Sequence, residues 1–437
     1  MDRNLVALNG IDADTGGYLF PGCRVADLAK MAQGTELNTR YLRAMRRRHG
    51  YDEDHLGVAS FVDDADDLAQ AGWGVVHPPD IDPRVLTALE PLLRRRAEQA
   101  GGRYRELVVE PNELASDFLW RHGMGPDPVD PRKVPYYLLI VGPPQSISFE
   151  FQYQLDVQYA VGRIDFDTVA EYAPYAEQVV AADDRPKRTL PVHLFGTRNP
   201  GDTPTALSSS RLVEPLAEEL VDLVPDIEAG TDIGVGATKS RLGQLLVEGP
   251  PILFTATHGL GRRNSDDREI RGALVCQDWP GPLARSPGID PQHYLAATDL
   301  AADRPLAPRV VFSFACYSAG MTYVGRLPQR LLMGGVLAFV GHIDRAWGYS
   351  FLWQGADPQI TAIASTILSI HKGHRVGSAM EAMNSRWAAI AADLTIRLEK
   401  LRNDDKAVDD HLLAWLWTAS NDARNYVVIG DPAVRAW

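Results

Sequence analysis

From Gly72 onward, short continuous apolar runs alternate with stretches whose apolar residues recur every three or four positions. That alternation predicts strands and helices following one another along the chain. Trp73–His77 reads as a strand and Pro83–Gln99 as a helix with Leu86, Leu89, Leu92 and Leu93 on one face. Glu106–Glu110 is the next strand, Pro111–His122 a short helix, and Tyr136–Gly142 an unbroken apolar run of the kind buried on both faces of a sheet. Ala160–Ile164, a helix over Thr168–Ala182, a strand at Leu190–Gly196 and an amphipathic helix over Ser210–Val224 complete a first series. A second series follows, with strands at Ile252–Thr257, Ala273–Gln277 and Val310–Ala315, a helix at Arg326–Met333 and a strand at Val336–Gly341. Helices dominate from Pro358 to Asn421, and a last strand covers Asn425–Gly430. Strands separated by helical crossovers predict an α/β fold with a mostly parallel sheet flanked by helices, built from two related α/β subdomains. The expected boundaries are an N-terminal segment at 1–70, a first subdomain at 71–235 and a second at 236–437.

Residues 1–70 carry no such rhythm. They hold a turn-rich piece at Asp14–Gly17, helical stretches near Val25–Met31 and Leu37–His49, and an acidic connector at Asp63–Asp67. No chemistry is assigned to them from the sequence.

The bulk composition narrows the function classes. With 437 residues, 45% hydrophobic and 23% charged, the chain has the makeup of an ordinary globular protein with a substantial core. A net charge of −13 argues against a nucleic-acid surface, because phosphate contacts need clustered Lys and Arg. The one basic run, Arg40–Arg48, reads as a solvated or internally paired helix face. Cys23, Cys276 and Cys316 are too scattered for a disulfide framework or a zinc site, which favours a reducing compartment. No run reaches the ~18 apolar residues of a membrane span and no signal peptide is evident, so the expectation is a soluble cytoplasmic protein with no membrane partner. Gly230–Ser240 has the look of a phosphate loop, but Thr238 stands where the motif needs glycine, and Thr238 as the cap of a helix over Lys239–Val247 is the better reading. No motif requires a cofactor.

The chemistry concentrates at strand ends. In open α/β sheets functional groups lie just beyond the carboxyl ends of the strands. Ile252–Gly261 delivers His258 there and Val310–Gly320 delivers Cys316. Cys316 is followed by small residues that would leave its sulfur at an accessible turn, and a helix starting after it would lower the thiol pKa. Gly259 lets the backbone approach closely, so that the Gly259 and Cys316 N–H groups could hold an oxyanion. Gly334–Trp353 ends another strand in a loop where Trp347, Tyr349, Phe351 and Trp353 stand beside His342, Asp344 and Arg345, the composition of a pocket wall. Asp344 and Asp278 would make that pocket acidic and suited to Arg or Lys; the alternative is that both are surface charges, with Asp344 paired to Arg345.

The order Thr-His-Gly, Phe-Ala-Cys-Tyr-Ser, Gly-Gly-Val-Leu-Ala-Phe-Val-Gly, Trp-Gly-Tyr-Ser-Phe-Leu-Trp and Tyr-Val-Val-Ile-Gly-Asp-Pro resembles the gingipain-type cysteine peptidases of the caspase-fold group. The resemblance runs from about Gly72 to the end and implies a caspase-like three-layer sandwich. It implies further that Cys316 is the nucleophile, His258 the catalytic histidine, and Trp347 part of the wall for the side chain preceding the cut bond. No export signal or adhesion domain of the kind secreted gingipains carry is visible in the sequence, so an extracellular role is not expected. Relatives of the CHAT type, which act inside bacterial cells in signalling or defence, suggest the setting. Implied partners are a protein or peptide substrate and an activating protein. The competing reading is a catalytically idle caspase-fold module that binds a peptide or partner. No third catalytic residue is assigned from the sequence.

Overall fold

The computed structural model describes residues 5–6, 8–19, 23–32, 62, 64–186, 188–262, 267–284, 288–301, 304–347, 351–353, 356–404 and 409–437. The helix expected at 37–49, the basic run at 40–48 and Tyr349 lie outside them.

Ten strands form one sheet: β1 (Trp73–His77), β2 (Tyr104–Val108), β3 (Tyr137–Val141), β4 (Ala160–Ile164), β5 (Val192–Gly196), β6 (Ala229–Ile233), β7 (Ile252–Ala256), β8 (Val310–Phe314), β9 (Ala338–His342) and β10 (Tyr426–Gly430). Their order across the sheet is β6-β5-β7-β8-β9-β10-β4-β3-β1-β2. Eight of the nine pairings are parallel; only β9 against β10 is antiparallel. The α/β class with a mostly parallel sheet, expected from the apolar rhythm, is therefore what the chain adopts. The single antiparallel pairing reverses direction in mid-sheet, so the carboxyl ends of β5 to β9 share one edge and those of β1 to β4 and β10 the opposite edge.

Eight of these strands are buried at every position. Because successive side chains point to opposite faces, this requires cover on both faces. The outermost strands, β2 and β6, are only partly buried. Partial burial explains why β6, Ala-Gly-Thr-Asp-Ile, carries no apolar run and is not expected as a strand: parallel pairing to β5 places it, and only one of its edges is bonded. The helix expected over 83–99 is two helices, Pro83–Ala88 and Glu90–Ala100. The second has Pro91 in its first turn, where the missing N–H costs nothing. Thr238 caps the helix Lys239–Glu248 by accepting from Arg241 N–H.

Four short strands make a second sheet beside the main one: Tyr294–Leu295, Leu274–Val275, His258–Gly261 and Ile11–Asp12, in that order. Its presence brings Ile11–Asp12 against the strand that carries His258, a contact that nothing in the local sequence announces. Among the described residues, no helix is long and apolar enough to cross a membrane.

Candidate active site

The β7–β8 register pairs Ala256 with Phe314, and the Thr257 N–H then donates to the Phe314 carbonyl at 3.1 Å. Two further residues on each strand place His258 level with Cys316. The backbones touch there: a Cβ added to Gly259 would lie 1.8 Å from the Cys316 carbonyl oxygen. Only glycine permits this approach.

His258 is fully buried, and its Nε2 lies 2.7 Å from Asp202 Oδ2. Asp202 follows β5 and is the N-cap of the helix Thr203–Ser208. Its carboxylate also accepts from Thr205 N–H at 3.2 Å, from the Thr205 hydroxyl, and from the Tyr18 hydroxyl at 2.7 Å. Burial pushes the Asp202 pKa up, but His258 and these donors outweigh it and hold the carboxyl below its ordinary value. An ionised carboxylate only accepts, so His258 Nε2 carries the hydrogen and the neutral ring keeps its lone pair on Nδ1. Nδ1 has no hydrogen-bond partner among the described residues. It is the nitrogen left to exchange a proton with a thiol. Trp279 meets the ring edge-on at 5.7 Å and Tyr18 at 6.1 Å, which fixes its plane.

Cys316 is fully buried, and its Sγ accepts the Ala346 N–H at 3.2 Å. Two local expectations change. Residues 317–325 form turns and bends and the next helix begins at Arg326, so the helix expected to start just after the sulfur is not there. Burial instead pushes the thiol pKa well up, against a lesser lowering by the Ala346 N–H and Arg345. The turn itself is strained: Tyr317 has φ 57°, a left-handed conformation rare for a bulky residue. Tyr317 N–H donates to the Asp344 carbonyl at 2.8 Å and Ala319 N–H to the His342 carbonyl at 2.9 Å, which hold it there. A backbone outlier beside a candidate nucleophile is a pattern found at functional sites.

The remaining sequence-derived residues fall into different places. Trp347 is buried, packs edge-on against Trp417 at 5.6 Å and donates its N–H to Asp422 at 3.0 Å. The Asp344 carboxylate accepts from Arg345 Nε at 2.8 Å. His342, the last residue of β9, packs against Phe314 and Tyr426, and neither ring nitrogen is hydrogen-bonded among the described residues. Asp278 turns away to accept the Lys239 N–H at 2.6 Å and lines a cavity of about 690 Å3 whose walls include neither Cys316 nor His258. Cys276 is buried and its thiol pKa is pushed up by burial. The structure thus brings His258, Gly259, Cys316 and the segment Asp344–Trp347 together, and sets Asp278 apart.

The sequence assigns Asp202 no role, because it stands in a short polar stretch between the strand expected at Leu190–Gly196 and the helix expected from Ser210. The signal was present: Asp-Thr-Pro just past a buried strand marks a capped helix start at the same sheet edge.

No protein-family model and no curated protein sequence matches the chain. Among solved structures, it is similar to the Arg-specific cysteine proteinase gingipain R, at 11% identity over 85% of this chain and 79% of that one, with a TM-score of 0.49. A structure described as a protease matches at 14% identity over 83% and 78%, with a TM-score of 0.47. The Saccharomyces cerevisiae separase–securin complex matches at 12% identity over 68% of this chain and 16% of that one, with a TM-score of 0.36.

Proposed function

We propose that this protein is a cysteine peptidase acting through Cys316, His258 and Asp202. The observation that carries the reading is the buried 2.7 Å contact between Asp202 and His258, made where His258 stands level with Cys316 at adjacent strand ends. In the first step His258 Nδ1 takes the thiol proton as Sγ bonds to the peptide carbonyl carbon. Collapse of the tetrahedral intermediate breaks the C–N bond, and the imidazolium gives its proton to the leaving amine. Water then attacks the thioester, with Nδ1 again accepting a proton, and releases the carboxylic acid and the free thiol. Asp202 holds the ring tautomer and stabilises the imidazolium. The Gly259 and Cys316 N–H groups serve the oxyanion, a role their backbone contact favours. The substrate side chain before the cut bond rests against the Asp344–Trp347 segment. Cys276 and Cys316 are free thiols, in keeping with an intracellular, reducing setting.

The test is a panel of fluorogenic peptides with Cys316→Ala as control, run with and without candidate activating proteins. Cys316-dependent cleavage is expected, and its absence throughout would favour the reading as an idle partner-binding module. Complete burial of Cys316 and His258 is the observation on that side.

A further inference from the structure

A nucleophile and its base, both without solvent access, need an explanation for how a substrate arrives, and the chain's first described residues supply one. Leu8–Asn9 pairs antiparallel with Ala346–Trp347, the segment flanking the sulfur. Ile11–Asp12 pairs parallel with Leu260–Gly261, just past His258. Gly10, between the two, crosses the thiol so closely that a Cβ there would lie 3.4 Å from Cys316 Sγ and 3.6 Å from the Gly259 carbonyl oxygen. The chain then turns at the exposed Asp14–Thr15 and returns, with Leu19 N–H donating to the Gly10 carbonyl at 2.8 Å. On the return, Tyr18 lays its ring beside His258 and gives its hydroxyl to Asp202.

We propose that residues 8–19 form an intramolecular inhibitory strap that occupies the space a substrate backbone needs over Cys316, and that the protein acts only when this strap is displaced. The inference rests on the peptidase reading for the word inhibitory, while the seating of the strap stands by itself. Three features fit a segment made to be held and released. It is stitched on by backbone pairs at both sides of the sulfur. Its passage over the thiol uses glycine, which needs no side-chain room. From its return limb the Tyr18 hydroxyl engages the carboxylate that orients His258. Displacement would hydrate the sulfur, remove the burial that keeps the thiol protonated, and leave the Ala346 N–H to stabilise a thiolate.

The experiment reads the thiol before it reads activity. In the full chain, Gly10→Cys with a mild oxidant should give a disulfide from the introduced thiol to Cys316, identified by peptide mass spectrometry. Iodoacetamide should alkylate Cys316 of the folded wild-type chain at least about 100-fold more slowly than that of the urea-unfolded chain. Leu19→Asp, which removes an apolar side chain packed on Gly10 and Gly261, should raise Cys316 alkylation at least about tenfold. Cys276, buried elsewhere, should stay slow and so report an intact fold. Cleavage of the peptide panel by untreated Leu19→Asp, with its thiol free, should exceed that of the untreated wild-type chain. Absence of the cross-link, alkylation of the folded wild-type chain within about tenfold of the unfolded one, or no rise in Leu19→Asp would each overturn the strap. A rise in alkylation with no cleavage would leave the strap standing and overturn the peptidase reading instead.

Discussion

Asp202 does more for the candidate site than its place in a polar loop suggests. It receives Thr205, Tyr18 and His258, and its pairing with the imidazole leaves Nδ1 as the basic nitrogen. Asp202→Asn preserves shape but can donate to Nε2, which reverses the tautomer. Its kcat on a cleaved peptide should fall by about 10²–10⁴ with KM little changed, and an unchanged kcat would remove Asp202 from the mechanism. A second residue-level expectation concerns His342. Asp422 Oδ1 is 3.6 Å from Nε2, too far for a hydrogen bond, and already accepts the Trp347 N–H. Burial therefore dominates and lowers the His342 pKa to about 3. Since an unfolded histidine titrates near ~6.5, the unfolded chain binds a proton here before the folded one does. The contribution to stability is complete above that value and is lost as pH falls toward 3, on the order of several kcal/mol over the window. His342→Phe should flatten the fall in melting temperature between pH 7 and pH 4; equal slopes in the two proteins would contradict it.

At the scale of elements, the decisive contact is between strand ends. The turn after Cys316 is zipped to residues 342–346, and the segment after β7 lies against it, so position 259 has no room for a methyl group. Gly259→Ala should cost about 1–3 kcal/mol in urea denaturation, as forced overpacking does, and remove most cleavage by separating the two strand ends. Gly243, within the helix Lys239–Glu248, provides the contrast, because a Cβ there meets nothing within 4 Å. Gly243→Ala should stabilise by about 0.5–1 kcal/mol through helix propensity alone. The opposite ranking in a denaturation series would show that the close approach at Gly259 is not what holds the site.

For the molecule as a whole, the long return of the chain to place β10 between β9 and β4 joins two oppositely directed parallel sets into one sheet. A buried polar knot secures that return. Asp431, just after β10, accepts from Arg96 Nε at 2.7 Å and from Trp73 Nε1 at 3.0 Å, while Arg96 also pairs with Asp183. Both Arg96 and Asp431 are fully buried. Removing the Asp431 charge leaves the buried Arg96 with Asp183 as its remaining carboxylate partner and its Nε desolvated, so Asp431→Asn should cost up to about 3 kcal/mol. Adding Arg96→Met should recover part of that loss, and a strictly additive double mutant in urea denaturation would refute the coupling.

What the sequence determined by itself was local. The unbroken apolar run at Tyr137–Val141 read as a strand buried on both faces, the largely apolar Ile252–Ala256 and Val310–Phe314 read as further strands, and a histidine and a cysteine just past the latter two marked one sheet edge. Only the tertiary structure decided the rest, because the deciding contacts join residues far apart in the chain. The pairing that sets β6 as an edge strand rests on β5 rather than on its own residues. Asp202 reaches His258 across 56 positions, and Tyr18 reaches Asp202 across 184. Whether Cys316 is open or covered was decided by Gly10, which meets the sulfur through long-range backbone pairing that no local pattern encodes.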